Sequence, residues 1–90
     1  MNPLKILIVE DEIVIAEDLK EVLESLGYQV LGIAIKYSEV FPLIEEIEPD
    51  LILLDIILGG NKDGIDVAQK LNEEHKIPFV FMTSHADRST

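Results

Sequence analysis

Four short runs of consecutive apolar residues punctuate the sequence: Ile6-Leu7-Ile8-Val9, Val30-Leu31-Gly32-Ile33-Ala34, Leu51-Ile52-Leu53-Leu54 and Phe79-Val80-Phe81-Met82. They are continuous rather than alternating, the pattern of strands buried on both faces in a parallel sheet covered by helices. Between them, apolar positions recur at helical spacing. Ile15, Leu19, Val22, Leu23 and Leu26 fall on one face of a first helix, with Glu17, Asp18, Lys20, Glu21 and Glu24 on the others and Gly27 as its C′ stop. A second helix carries Val40, Leu43, Ile44 and Ile47, with Ser38 as N-cap and Pro42, which has no N–H to donate, near its first turn. A third begins near Asp63-Gly64 and carries Val67, Ala68 and Leu71. Pro49 and Pro78 end helices and lead into strands. The order β-α-β-α-β-α-β predicts an α/β fold, a doubly wound parallel sheet with right-handed crossovers.

Composition narrows the function. Ninety residues fit one small domain, and no repeat, low-complexity tract or interdomain linker divides them. Eighteen acids against seven bases give a formal net charge of -11, which argues against nucleic acid and against docking on an anionic membrane. It suits divalent cations or basic partner surfaces, although a solvated acidic face is the commoner meaning of such an excess. Cysteine is absent, so disulfides, thiolate metal sites and a cysteine nucleophile are excluded. The N-terminal residues carry no secretory pattern and no apolar run is long enough to cross a bilayer, so a cytoplasmic location is expected.

After the fourth strand, residues Thr83 to Thr90 read as the start of a fourth helix, and the domain over residues 1–90 is expected to be truncated there. An apolar edge such as Phe79 to Met82 is a pairing hazard, so a cover is expected: further chain, a second copy or a neighbouring output domain.

In open parallel α/β sheets, ligands bind beyond the carboxyl ends of the strands. The first strand leaves into Glu10-Asp11-Glu12, the third into Asp55 and the fourth into Thr83-Ser84. A strand order that sets these three side by side gathers their exits into one pocket. Two unit charges about 5 Å apart repel by roughly 3 kcal/mol at an effective dielectric of about 20. Mg²⁺, which takes hard oxygen ligands, relieves that repulsion and neutralises an incoming phosphoryl group. A carboxylate is a covalent acceptor of phosphate, and a nearby hydroxyl such as Thr83 can hydrogen-bond the new oxygens. Blander readings stand beside these. Glu12 is more simply an acidic first-turn residue of the first helix, Asp55 alone can be a turn residue, and Thr83 and Ser84 can cap a helix.

The stretches ILIVEDE (Ile6 to Glu12), PDLILLDI (Pro49 to Ile56), DGID (Asp63 to Asp66) and IPFVFMTSHAD (Ile77 to Asp87) together resemble the receiver domain of two-component response regulators. The resemblance implies a flavodoxin-like sheet of order 2-1-3-4-5, of which the last strand and helix are lacking in these residues. It implies that Asp55 takes phosphate from a phosphohistidine on a histidine kinase or histidine phosphotransfer protein and so switches an output or partner. Asp11 matches the direct Mg²⁺ ligand, Glu10 the acid acting through water, and the Ile57 carbonyl a further ligand. Thr83 matches the switch hydroxyl, and Ile57 and His85 match positions that tune the lifetime of the acyl phosphate; for His85 an exposed loop residue is an equal alternative. Two departures stand out. The segment from Asp55 to Asp63 lacks the family's usual proline and is about one residue longer, and no Lys-Pro supplies the family's phosphate-pairing lysine.

Ile13 and Val14 lie off the core stripe of the first helix and beside the acidic exits, where they read as part of a docking face for the phosphodonor. Three functions compete. The first is a phosphoacceptor switch, not an enzyme in the usual sense. The second is a degenerate receiver serving only as a protein-interaction module. The third, a Mg²⁺-dependent phosphohydrolase, fits poorly, because its Asp-x-Asp pair after the first strand is here Glu10-Asp11-Glu12.

Overall fold

Each apolar run forms a strand. A computed structural model describes residues 3–55 and 64–82. Within them the elements are β1 (Lys5–Val9), α1 (Ile13–Ser25), β2 (Gln29–Ala34), α2 (Tyr37–Ile47), β3 (Leu51–Asp55), α3 (Gly64–Lys70), a π-helical turn (Leu71–His75) and β4 (Phe79–Met82). The strands pair in parallel in the order β2-β1-β3-β4. The fold is thus α/β with a flavodoxin-like strand order, and the order reverses between β1 and β3. Ligand sites open at such a switch point.

Side chains alternate across the sheet and make two cores. Leu7, Val9, Ile52 and Leu54 face Val40 and Ile44 of α2 and Val67, Ala68 and Leu71 of α3 and its π-turn. Ile6, Ile8 and Val30 face Ala16 of α1, with Leu19 and Leu23 packed alongside. Burial on both faces therefore holds for β1, whose Ile6, Leu7, Ile8 and Val9 are closed to solvent. It does not hold for β4, an edge strand among the described residues, where Val80 and Phe81 are 50% and 40% exposed.

The helix ends show where sequence and structure diverge. Gly27 stops α1 as expected: at φ +100 it lets the Tyr28 N–H reach the Leu23 carbonyl and the Gly27 N–H reach the Glu24 carbonyl, a Schellman closure. The stripe on α1 is narrower than its periodicity suggests. Val22 and Leu26 are 55% and 67% exposed, while Ala16, too small to stand out in the pattern, is fully buried at the close approach to the sheet. Ser38 is not the cap of α2. That position belongs to Lys36, which makes no side-chain cap bond, and the Glu39 carboxylate instead accepts the Ile35 N–H at 2.8 Å, tying the first turn to the end of the preceding segment. Pro42 consequently lies mid-helix rather than in the first turn. The third helix ends in a π-turn, closed by the Lys76 N–H on the Leu71 carbonyl at 2.8 Å. That turn keeps Leu71 buried while the His75 ring stacks on Phe41 of α2, with centroids 5.5 Å apart.

Candidate functional site

The register of the sheet builds the site. Val9 pairs with Leu54 and Asp55 pairs with Met82, so the residues that follow β1 and end β3 stand level at the carboxyl edge. Asp55 is the last residue of β3 rather than the first after it. Glu10 prolongs the β1–β2 ladder by donating its N–H to the Ala34 carbonyl at 3.0 Å. Backbone pairing on both sides therefore fixes the origins of the two side chains.

Glu10 and Asp55 are fully buried, and Asp11 is partly open to solvent. Carboxylate oxygens of Glu10, Asp11 and Asp55 all lie within 4.8 Å of one another. At that spacing, each pair of charges repels by about 3 kcal/mol at an effective dielectric of about 20. Sheet pairing and the apolar cores beneath hold the cluster against this repulsion. The Glu12 N–H donates to Oε2 of Glu10 at 3.0 Å, which orients that carboxylate. Glu12 is the exposed N-cap of α1, whose first turn holds no acidic residue, so the first-turn reading of Glu12 is corrected to the position just before the helix. The role of its backbone was not foreseen, although a carboxylate two residues upstream of an N–H is a recurrent turn arrangement.

The donor set is all oxygen and all anionic, and converges from two adjacent strand ends. It fits a hard divalent cation such as Mg²⁺ and offers no soft ligand. Among the described residues, these three form the one group of three or more His, Asp or Glu side chains close enough to hold a metal ion. Ile13 and Val14 open α1 next to the site and are 50% and 70% exposed. Ile57, Thr83 and His85 lie outside the described residues, as do Asp63 and Ser84.

A four-stranded parallel sheet of order β2-β1-β3-β4 with an acidic cluster at its switch point defines a doubly wound, flavodoxin-like α/β protein. The comparison with known families then specifies it. Residues 6–90 match the response regulator receiver domain, and the chain belongs to that family. It is 38% identical over 85 residues to the phyllosphere-induced regulator PhyR of Methylorubrum extorquens, an alignment covering 93% of this chain and 32% of that protein. Among solved structures, it resembles the signal receiver domain of a modulated diguanylate cyclase from Desulfovibrio desulfuricans G20, with TM-score 0.84 and 38% identity over 97% of this chain and 69% of that one. It also resembles the anti-anti-sigma factor PhyR of Bartonella quintana in complex with the anti-sigma factor NepR, with TM-score 0.85 and 38% identity over 98% of this chain and 36% of that one. The chain spans about a third of the length of the PhyR proteins it matches. Among the described residues, no helix is long and apolar enough to cross a membrane.

Proposed function

We propose that this chain is a phosphoacceptor switch in which Asp55 takes a phosphoryl group from a phosphohistidine of a histidine kinase or histidine phosphotransfer protein. The observation that carries this reading is the convergence of Glu10, Asp11 and Asp55 within 4.8 Å at the switch point of a receiver fold. A carboxylate oxygen of Asp55 attacks phosphorus in line with the leaving imidazole. The new O–P bond forms as the N–P bond breaks, and the histidine nitrogen leaves with the electron pair and takes a proton from solvent. Such transfer is governed by positioning and charge, and burial of Asp55 at a strand end fixes the nucleophile. Mg²⁺, when bound, offsets the repulsion among the three carboxylates and the incoming phosphoryl oxygens.

Asp11, the more open of the three, would hold the cation directly with Asp55, and Glu10, whose Oε2 accepts the Glu12 N–H, would act through water. The Ile57 carbonyl would be the further ligand. Thr83, next in sequence after the Met82 that pairs with Asp55, supplies the hydroxyl to the phosphate, and Ile57 and His85 tune how long the acyl phosphate lasts. Exposed Ile13 and Val14 receive the phosphodonor. Phosphorylation then controls an output domain or partner in the cytoplasm.

The test separates donors. Val14→Asp should slow phosphotransfer from a kinase and spare phosphorylation by acetyl phosphate, measured side by side; equal loss with both rejects the docking role. A second reading, an interaction module without phosphorylation, is favoured by the likeness to a PhyR seen in complex with NepR. It prevails if acetyl phosphate and Mg²⁺ leave no adduct on a protein whose sheet is formed.

A further inference from the structure

A groove of about 410 Å³ runs between the edge strand β2 and α2, lined by Ile33, Ser38, Glu39, Pro42, Leu43 and Glu46. Its chemistry is one-sided. Pro42 and Leu43 make its helix side apolar, Ile33 borders it on β2, and Glu39 and Glu46 are its charged groups. The bond from the Ile35 N–H holds the Glu39 carboxylate in place on the wall. Pro42 lies inside α2 and has no N–H to return to the carbonyl of Ser38 four residues back, so that carbonyl lacks its usual helical donor. Acceptors therefore surround an apolar strip, and no lysine, arginine or histidine lines the groove. Beside it, β2 is an outer strand of the sheet among the described residues, with β1 as its strand neighbour, so its far edge offers backbone N–H and C=O groups to another strand.

We propose that this groove and the β2 edge receive an extended basic segment of a partner protein. The segment adds alongside β2, and one lysine or arginine lies in the groove. Its methylene stem covers Pro42 and Leu43, and its cationic head meets Glu39, Glu46 and the Ser38 carbonyl. A long cationic side chain is the amino acid that satisfies both halves of such a groove, because its stem is apolar and its head carries only donors. Strand addition supplies affinity through the backbone and the groove supplies selection. Its lining shares no residue with the Glu10, Asp11 and Asp55 cluster.

The molecule contains its own control for unspecific charge attraction. Glu17, Asp18, Lys20, Glu21 and Glu24 of α1 line a smaller depression of about 200 Å³ in which every lining residue is charged. A short blocked peptide of alternating lysine and valine is titrated into isotope-labelled protein and followed by amide NMR. Shifts concentrated on β2 and on residues 38–46 of α2 are expected. Glu46→Lys, at an exposed position, should weaken the peptide by about tenfold, the loss of one well-placed charge pair. Pro42→Ala, which restores the helical donor and removes part of the floor, should weaken it as well while keeping the fold. Shifts concentrated on α1, equal binding of the alternating glutamate-valine peptide, or unchanged affinity in both variants would overturn the proposal.

Discussion

Glu10, Asp11 and Asp55 stand at one end of the sheet, and Glu17, Asp18, Glu21 and Glu24 stand along the outer side of α1. Both groups are acidic and both contribute to the net charge of -11, yet they are physically opposite. The α1 acids are exposed, each in its own water, where charges cost little and are screened by salt. The strand-end acids arrive on rigid elements, two of them closed to solvent, with oxygens within 4.8 Å. A solvated acidic face asks nothing of the fold. A converging buried one is a standing cost that a cation or a phosphoryl-metal complex relieves, and that difference is what marks a site.

The sharpest break of this comparison is chemical. Asp55→Asn should abolish the phosphoryl adduct formed with acetyl phosphate and Mg²⁺, whereas the paired change Glu17→Gln with Glu21→Gln should leave the adduct yield unchanged, both read by intact-mass spectrometry. The next effect is on stability without metal. Removing the Asp55 charge relieves repulsion of about 3 kcal/mol per close pair and leaves a buried amide to satisfy, so Asp55→Asn should raise unfolding free energy by about 1–2 kcal/mol in urea titration. Stability lower than that of the parent protein would mean that the carboxylates are not mutually repelling. Mg²⁺ gives a smaller shift. At about 10 mM and a dissociation constant of about 1 mM, it should stabilise the parent protein by about 1.4 kcal/mol, and Asp55→Asn should lose that gain. The smallest effect belongs to α1, where the paired Gln substitutions should change stability by no more than about 0.5 kcal/mol at moderate salt.

How much of this was legible depended on what each signal measures. The four strands could be read because runs such as Ile6 to Val9 need burial on both faces, and their order in the chain implied the crossovers. Asp55, Glu10 and Asp11 could be read because strand exits gather at a switch point, and the parallel register then sets them level. Helical periodicity reports an apolar stripe but not what covers it, so Val22 and Leu26 looked like core and are exposed, while Ala16 passed unnoticed. Cap preference ranks Ser38 well, but α2 starts at Tyr37 behind an uncapped Lys36, with Glu39 bonded back to the Ile35 N–H. The π-turn at Leu71–His75 widens a helix by one residue, which no pattern of apolar spacing announces. The same periodicity gave no hint of the groove beside Pro42, because a groove is made by two elements and by an N–H that proline does not have.

The central claim is that Asp55 is a covalent acceptor because the fold holds it, buried, among acids that a divalent cation can bind. Its most direct test is a time course of intact-mass spectra of the parent protein and Asp55→Asn with acetyl phosphate, with and without Mg²⁺. One phosphoryl mass should be added to the parent protein only with Mg²⁺, and none to the variant. An adduct of equal yield on both proteins, or none on a folded parent protein, would contradict the account.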